Sequence, residues 1–196
     1  MQLIFDSKIM EEDLKNALKV LKAGGVILYP TDTVWGIGCD ATDEAAVKRI
    51  FEIKQREDSK SMLILTDNEA KIERLVEKVP DVAWDLIQLS ETPLTIIYSR
   101  AKNLAPNLIA QDGSVGIRVT KEEFSKKLCE RFRLPVVSTS ANKSGEPTPQ
   151  IFDEISDEIK CAVDYIVSYR QKEQNKAKPS SIIKLEENGV ITIIRK

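Results

Sequence analysis

The segment GGVILYPTDTVWGIG occupies residues 24–38 and sets the pattern for the rest of the chain. Its apolar run, residues 26–29, is short and is bounded by Gly25 and Pro30, which predicts a buried β-strand. The loop after this strand carries two threonine hydroxyls, an aspartate carboxylate and two glycines. Because ligands collect at the carboxyl ends of strands in open α/β sheets, this loop is a candidate binding site, with a polar turn as the alternative. It matches neither the GxGxxG dinucleotide fingerprint nor a Walker loop.

Helix and strand signals alternate on both sides of this segment. Helical spacing of apolar residues predicts helices at 10–23, 43–54, 68–78, 81–89 and 121–132, the second of them capped by Thr42. Short apolar runs predict further strands at 62–65, 94–98, 115–119, 136–137, 182–183 and 190–194. The alternation predicts a single α/β domain over residues 1–196, with a three-layer, twisted, mixed open sheet flanked by helices. The charged stretch 168–178 is predicted to be a mobile loop.

The composition excludes several classes of protein and several kinds of chemistry. The 196 residues are 42% hydrophobic and 31% charged, which is ordinary for a globular domain and excludes collagen-like or largely disordered chains. A net charge of −2 provides no global positive field for nucleic acid or an anionic membrane. The absence of histidine excludes Ser-His-Asp catalysis, Cys-His catalysis and His-ligated zinc.

The cysteines and the N-terminus point to a cellular compartment. Cys39, Cys129 and Cys161 form no CxxC pair and have no zinc-ligand spacing, so we expect buried free thiols in a reducing cytosol. The N-terminus is acidic where a signal peptide would be apolar, and no apolar run is long enough to cross a membrane. The sequence therefore predicts a soluble cytoplasmic protein with no membrane contact.

Two groups of residues beyond the first loop are candidates for ligand binding. Lys54 continues the inner apolar stripe of helix 43–54, and Arg56 follows close behind. A cleft that binds an anion explains an inward lysine, and a basic helix terminus in solvent is the alternative. The second group is the string STSAN at 138–142, which follows a strand and favours hydrogen bonding to a polar ligand. A serine-rich turn is the alternative there.

Two arginines stand in apolar strand sequences. Arg118 lies within the run VGIRV, and Arg195 follows two isoleucines. An arginine within or at the end of a buried strand needs a partner, and an anionic ligand or a structural salt bridge would satisfy it equally well.

Four strings in this order resemble the YrdC-like threonylcarbamoyl-AMP synthase family: GGVILYPTDTVWGIGCDATDEAAVKRIFEIKQR, SVGIRV, PVVSTSANKSGEPTP and PSSIIK. The resemblance extends from Leu14 to Arg195. It implies a twisted α/β sheet around a deep, positively charged cavity. It also implies an enzyme that condenses L-threonine, bicarbonate or CO2, and ATP into L-threonylcarbamoyladenylate with release of pyrophosphate. This is the first step of threonylcarbamoyladenosine formation in tRNA.

The resemblance implies roles for individual residues. Lys54 and Arg56 match the family's basic pair on the ATP phosphates and are the expected catalytic residues. The residues expected to contact L-threonine are Thr31, Arg118, Ser138 and Ser180. Those expected to contact the nucleotide, besides the basic pair, are Ser114, Ser140, Asn142, Thr148 and Arg195.

The same resemblance implies a cofactor and partners. Mg²⁺ is expected to arrive with ATP, without protein ligands assigned to it. A threonylcarbamoyl transferase complex is the expected downstream partner, and direct contact with tRNA stays open. No general base is assigned, because carbamate formation and adenylation depend mainly on positioning and charge neutralisation.

Two departures from the family pattern keep other functions open. Glu57 and Ser61 replace residues of a stiffer turn, and the charged loop 169–178 replaces a glycine-rich approach to Ser180. One alternative is therefore a paralogue of the same fold with weak or redirected activity. The other is a non-catalytic RNA-binding module, although the sequence pI of about 5.5 and the lack of interleaved aromatic residues argue against it.

Overall fold

The computed structural model describes residues 2–55 and 62–196. Its strands are β1 (Ile27–Tyr29), β2 (Gly36–Gly38), β3 (Leu63–Thr66), β4 (Leu94–Tyr98), β5 (Val115–Val119), β6 (Val136–Ser140), β7 (Tyr165–Ile166), β8 (Ser181–Leu185) and β9 (Ile191–Arg195). Its α-helices are α1 (Gln2–Lys22), α2 (Glu44–Lys54), α3 (Val82–Leu89), α4 (Glu123–Phe132) and α5 (Asp157–Ala162). Short 3₁₀-helices cover Glu69–Arg74, Pro106–Leu108 and Phe152–Glu154.

The strands form one mixed sheet, as predicted. Among the described residues its order is β7-β1-β2-β6-β3-β5-β4-β8-β9. β3 runs parallel to β5, whereas β6 runs antiparallel to both β2 and β3. The central strands are buried, and their apolar side chains, such as Ile37, Ile64 and Val137, join those of α1, α2 and α4 in one core.

Continuous apolar runs gave the most accurate predictions. The strands predicted at 94–98 and 115–119 have the observed bounds, and helix 43–54 differs from α2 by one residue. The cap of α2 was predicted wrongly, because Asp43, not Thr42, accepts hydrogen bonds from the first helical N–H groups. Thr42 instead donates its hydroxyl to Asp40 in the preceding turn.

Short elements without a pattern of their own were not predicted. β2 lies inside the polar loop, where only Ile37 is apolar between two glycines. A Cβ atom at Gly38 would clash with the carbonyl oxygen of Val137 and would lie 2.6 Å from the ring of Tyr29. Glycine at this position therefore allows β2 to pair within the sheet. β6 is also longer than predicted, because its polar end pairs with β2 through Ser140 and with β3 through Ser138.

Other corrections concern the surface. The helix predicted at 68–78 is the 3₁₀-helix Glu69–Arg74, and α5 and β7 were not predicted. Cys39 and Cys129 are buried free thiols, but Cys161 is exposed, because it lies on the outer side of the short helix α5. Within the described residues, no helix combines the length and apolarity needed to cross a membrane.

Candidate active site

A cavity of about 270 Å³ opens where β6 ends and β3 begins. Small residues make room for it, since Gly36 pairs with Ser140 and Gly116 pairs with Leu63. A Cβ atom on Gly36 would lie 3.2 Å from the Ser138 hydroxyl, so glycine keeps that hydroxyl uncovered. Six of the predicted site residues line the cavity: Arg118, Ser138, Ser140, Thr148, Ser180 and Arg195.

Arg118 is the most buried cation in the cavity wall, with 3% of its surface exposed. Its Nη2 atom lies 3.0 Å from Oδ1 of Asp32, yet that oxygen makes no aligned hydrogen bond, so the contact is an ion pair without a directional bond. The Nε atom of Arg118 has no hydrogen-bond partner among the described residues. Arg118 therefore has a structural salt bridge and also faces a ligand-sized space, so the two interpretations are not exclusive.

The electrostatics of this pair follow from burial. Burial lowers the pKa of Arg118 and raises the pKa of Asp32, because each charge loses hydration. The opposite charge of each partner works against that shift. Each charge therefore favours the ionised form of the other, which makes Asp32 part of the arginine site.

The two C-terminal strands bring Ser180 and Arg195 to the cavity. The Ser180 hydroxyl lies 2.9 Å from the hydroxyl of Thr95. The backbone carbonyl of Ser180 accepts a 2.9 Å hydrogen bond from Nε of Arg195. Arg195 Nη2 is 3.4 Å from the same hydroxyl. An irregularity between Ile182 and Ile183 shifts the register of β8 and β9, and Arg195 pairs across from Ile182 there. These contacts place a second arginine beside a serine at the far side of the cavity.

Lys54 is buried as predicted, with 2% of its surface exposed, but it does not line the cavity. Its ammonium group donates to the carbonyls of Ser140 and Asn142, the latter at 2.6 Å. The Lys54 carbonyl in turn accepts a 2.8 Å hydrogen bond from Ser144 N–H. Lys54 therefore holds the turn that continues from β6. Arg56, predicted as its companion, lies outside the described residues.

Three other predicted residues also lie outside the cavity lining. The Thr31 hydroxyl donates to the carbonyl of Val34 and accepts from Thr33 N–H, so it shapes the loop after β1. The Ser114 hydroxyl donates to Asp112 at 2.6 Å. The Asn142 amide donates to the carbonyls of Lys143 and Glu146. In this structure their polar groups organise the loops that surround the cavity.

Sequence reasoning did not single out Asp32 or Thr95 as site residues. Asp32 lies in the first loop, between two threonines, and its role depends on an arginine 86 positions away, which no local pattern shows. Thr95 looked like an ordinary strand residue, since threonine favours strands. A buried arginine in a strand was the available signal that a carboxylate lies nearby.

The donors available to a metal ion in this cavity are hydroxyl oxygens. No aspartate or glutamate lines it, and among the described residues no group of three or more Cys, Asp or Glu side chains is placed to hold a metal. Serine and threonine hydroxyls are hard oxygen ligands that suit Mg²⁺ only when phosphates complete its coordination. The lining therefore fits a magnesium ion carried by a nucleotide better than one bound by the protein alone.

A family model described as Sua5_yciO_yrdC, telomere recombination, matches residues 19–196, which contain every residue of the cavity. The chain belongs to the Sua5/YciO/YrdC family. The resemblance inferred from the four sequence strings is thereby confirmed. Arg118 and Arg195 are the basic residues in the described lining of this cavity. The deep, positively charged cavity that the resemblance implies stays a prediction.

Named relatives and solved structures of the family are similar over most of this chain. A threonylcarbamoyl-AMP synthase of Pseudoalteromonas translucida is 36% identical over 154 residues, 77% of this chain and 82% of that protein. A crystal structure of P. abyssi Sua5 complexed with L-threonine matches 88% of this chain with a TM-score of 0.77 and 27% identity. This chain spans about half of that Sua5, 50% of its length. The crystal structure of E. coli YciO matches 93% of this chain and 88% of its own, with a TM-score of 0.80 and 25% identity.

Proposed function

We propose that this member of the Sua5/YciO/YrdC family is an L-threonylcarbamoyladenylate synthase, a nucleotidyltransferase that acts on L-threonine, bicarbonate or CO2, and ATP. The observation that carries the proposal is the cavity in which buried Arg118 lies among Ser138, Ser140 and Ser180. A buried guanidinium suits the carboxylate of an amino acid, and the serine hydroxyls suit its other polar groups. Similarity to a named threonylcarbamoyl-AMP synthase and to a threonine complex of Sua5 supports this choice of substrates.

The proposed reaction has two bond-forming steps. The amine nitrogen of threonine attacks the carbon of CO2 and loses a proton, which yields a carbamate. A carbamate oxygen then attacks the α-phosphorus of ATP, the bond between that phosphorus and the bridging oxygen breaks, and pyrophosphate leaves. Both steps depend on holding reactants together and on neutralising charge, so a protein without histidine can perform them.

The cavity residues divide between the two substrates in this proposal. Arg118 binds the threonine carboxylate, and Ser138 and Ser180 orient the amino acid beside it. The proposal assigns Ser140, Thr148 and Arg195 to the nucleotide, with Arg195 also bonded to the carbonyl of Ser180. Mg²⁺ bound to ATP would neutralise phosphate charge when present, with the cavity hydroxyls as the protein oxygens within its reach.

Pyrophosphate release measured with purified protein tests the proposal directly. Release should require L-threonine and bicarbonate together, because the carbamate is the nucleophile and neither compound alone supplies it. ATP with threonine in CO2-depleted buffer is the matched control. L-serine should be about 10-fold to 200-fold poorer in kcat/KM, since a methyl group in a fitted pocket is worth about 1–3 kcal/mol.

The same assay separates the proposal from its alternatives. A paralogue with redirected activity, for which Glu57 and Ser61 outside the described residues give grounds, would release pyrophosphate with another amino acid or with none. An RNA-binding module would release none and would bind RNA in a salt-dependent way. Pyrophosphate release that does not depend on bicarbonate would exclude the carbamate mechanism. We also propose that the enzyme works in the cytoplasm and passes its product to a threonylcarbamoyl transferase complex.

A further inference from the structure

A second cavity of about 210 Å³ lies at the opposite end of β3 and β6 from the proposed active site. β3 begins at Leu63 in the active-site cavity and ends at Thr66 in the second one. β6 runs the other way, from beside Pro135 in the second cavity to Ser140 in the first. At about 3.3 Å per strand residue, the three steps from Leu63 to Thr66 separate the two cavities by about 10 Å of packed sheet. The second cavity is therefore a separate site.

Basic side chains surround this second cavity, which we name the basic pocket and define by Lys71, Arg74, Leu75, Arg133, Leu134 and Pro135. Arg74 and Arg133 are exposed, and neither forms an ion pair within residues 2–55 and 62–196. Lys71 pairs with Asp67 at 2.5 Å, so its charge is already neutralised. Two arginine charges thus remain uncompensated at the rim of one pocket, in a protein whose net charge is −2.

The backbone presents one of these arginines at a conformational cost. Arg133 follows the last turn of α4 with a φ of 66°, in the left-handed region that glycine or asparagine normally occupies at a helix end. Asn103 also lines the pocket, has a φ of 56°, and donates a 2.7 Å hydrogen bond to the Arg74 carbonyl. Both arginines are therefore held by ordered backbone.

The wall between the arginines is apolar. Leu75 is buried, while Leu134 is 42% exposed between the buried residues Phe132 and Val136. An exposed aliphatic side chain beside two arginines offers an apolar contact next to two charges, and arginine is enriched at protein–protein interfaces. No aromatic residue lines the pocket, so it lacks the platform on which nucleic-acid bases stack.

We propose that the basic pocket docks an acidic segment of a partner protein. An aliphatic side chain of that segment would pack on Leu75, Leu134 and Pro135, and carboxylates on either side of it would pair with Arg74 and Arg133. Planar guanidinium groups can bind carboxylates through two parallel hydrogen bonds, which gives the contact direction as well as charge. Because the pocket is remote from the active-site cavity, docking would leave substrate access unobstructed.

Fluorescence anisotropy tests the proposal with a labelled peptide of sequence Asp-Glu-Leu-Leu-Glu-Asp. We expect the wild-type protein to bind it, and to bind the matched peptide Asn-Gln-Leu-Leu-Gln-Asn at least 10-fold more weakly. The double variant Arg74→Glu/Arg133→Glu should lose at least 10-fold in affinity for the acidic peptide, and Leu134→Ser should lose about 3-fold to 10-fold. Pyrophosphate release by these variants should match wild type, which also verifies that they fold.

The control variant is Lys15→Glu/Lys126→Glu, which makes the same change in net charge at two exposed lysines outside the pocket. Its affinity for the acidic peptide should stay within 2-fold of wild type. Equal loss in both double variants would mean that net charge alone attracts the peptide and would overturn the proposal. Absence of peptide binding to wild type would overturn it too. Tighter binding of a uridine oligonucleotide that depends on Arg74 and Arg133 would assign the pocket to RNA instead.

Discussion

Replacement of Lys54 by methionine tests whether this buried ammonium group supports the loop after β6. Methionine has a similar length, so the change removes two hydrogen bonds without opening a large cavity. The carbonyl of Asn142 would lose its donor in a partly buried setting, whereas the carbonyl of Ser140 keeps the N–H of Asn142 as a donor. One unsatisfied acceptor costs about 1–3 kcal/mol, so the free energy of unfolding should fall by about that amount.

Urea unfolding followed by circular dichroism measures that loss, and pyrophosphate release measures its effect on the site. We expect turnover to fall at least about 10-fold, because a positional error of about 1 Å in a substrate-holding loop has effects of this size. The matched control is Lys48→Met on the same helix, whose side chain is 72% exposed and lies 3.9 Å from Glu52. It should change stability by less than about 0.5 kcal/mol. Wild-type stability with lost activity in Lys54→Met would refute loop support and favour direct phosphate contact.

Three further substitutions test other contacts of the structure. Asp32→Asn should lower the free energy of unfolding by about 3 kcal/mol, because Arg118 loses its buried counter-ion, and should raise the KM for threonine more than it lowers kcat, because the guanidinium loses the carboxylate that fixes its direction; an unchanged KM in steady-state assays would contradict this. Asp164→Asn should lower Tm at pH 7, because an arginine partner lowers the Asp164 pKa and thereby adds stability above the unfolded value. In thermal scans the difference from wild type should close as pH falls below about 4, and a constant difference would argue against the ion pair. Gly38→Ala should lower Tm by several degrees more than Gly36→Ala, because its new Cβ would meet the Tyr29 ring at 2.6 Å whereas the other would meet a serine hydroxyl at 3.2 Å; equal effects would show that β2 can shift.

The parts of the fold that were predictable are those whose signal is local. β4 and β5 are five-residue, mostly apolar runs between turn residues, and their bounds follow from that pattern alone. β2 has three residues and β7 has two, and each exists because a neighbouring strand supplies its hydrogen bonds. Such strands carry no periodicity, so only the assembled sheet defines them.

The candidate site divides in the same way. Ser138 and Ser140 share one face because residues two apart in a strand do, and this could be inferred before the strand was seen to extend that far. The inward direction of Lys54 followed from its helical spacing with Val47 and Ile50. Its hydrogen-bond partners did not follow, because they lie 86 and 88 positions away.

The charges of the cavity indicate how the proposed site would hold an anion in a protein without a strong external field. Arg118 is paired with Asp32, and Arg195 donates one N–H to the Ser180 carbonyl, so each arginine is partly engaged before a ligand arrives. An engaged arginine is fixed in direction and loses little entropy on binding, while its remaining N–H groups are available to a ligand. Recognition of a carboxylate or a phosphate therefore depends on short-range geometry. Asp32 then has a double effect, because it weakens the net attraction of Arg118 for anions while it fixes where that attraction points.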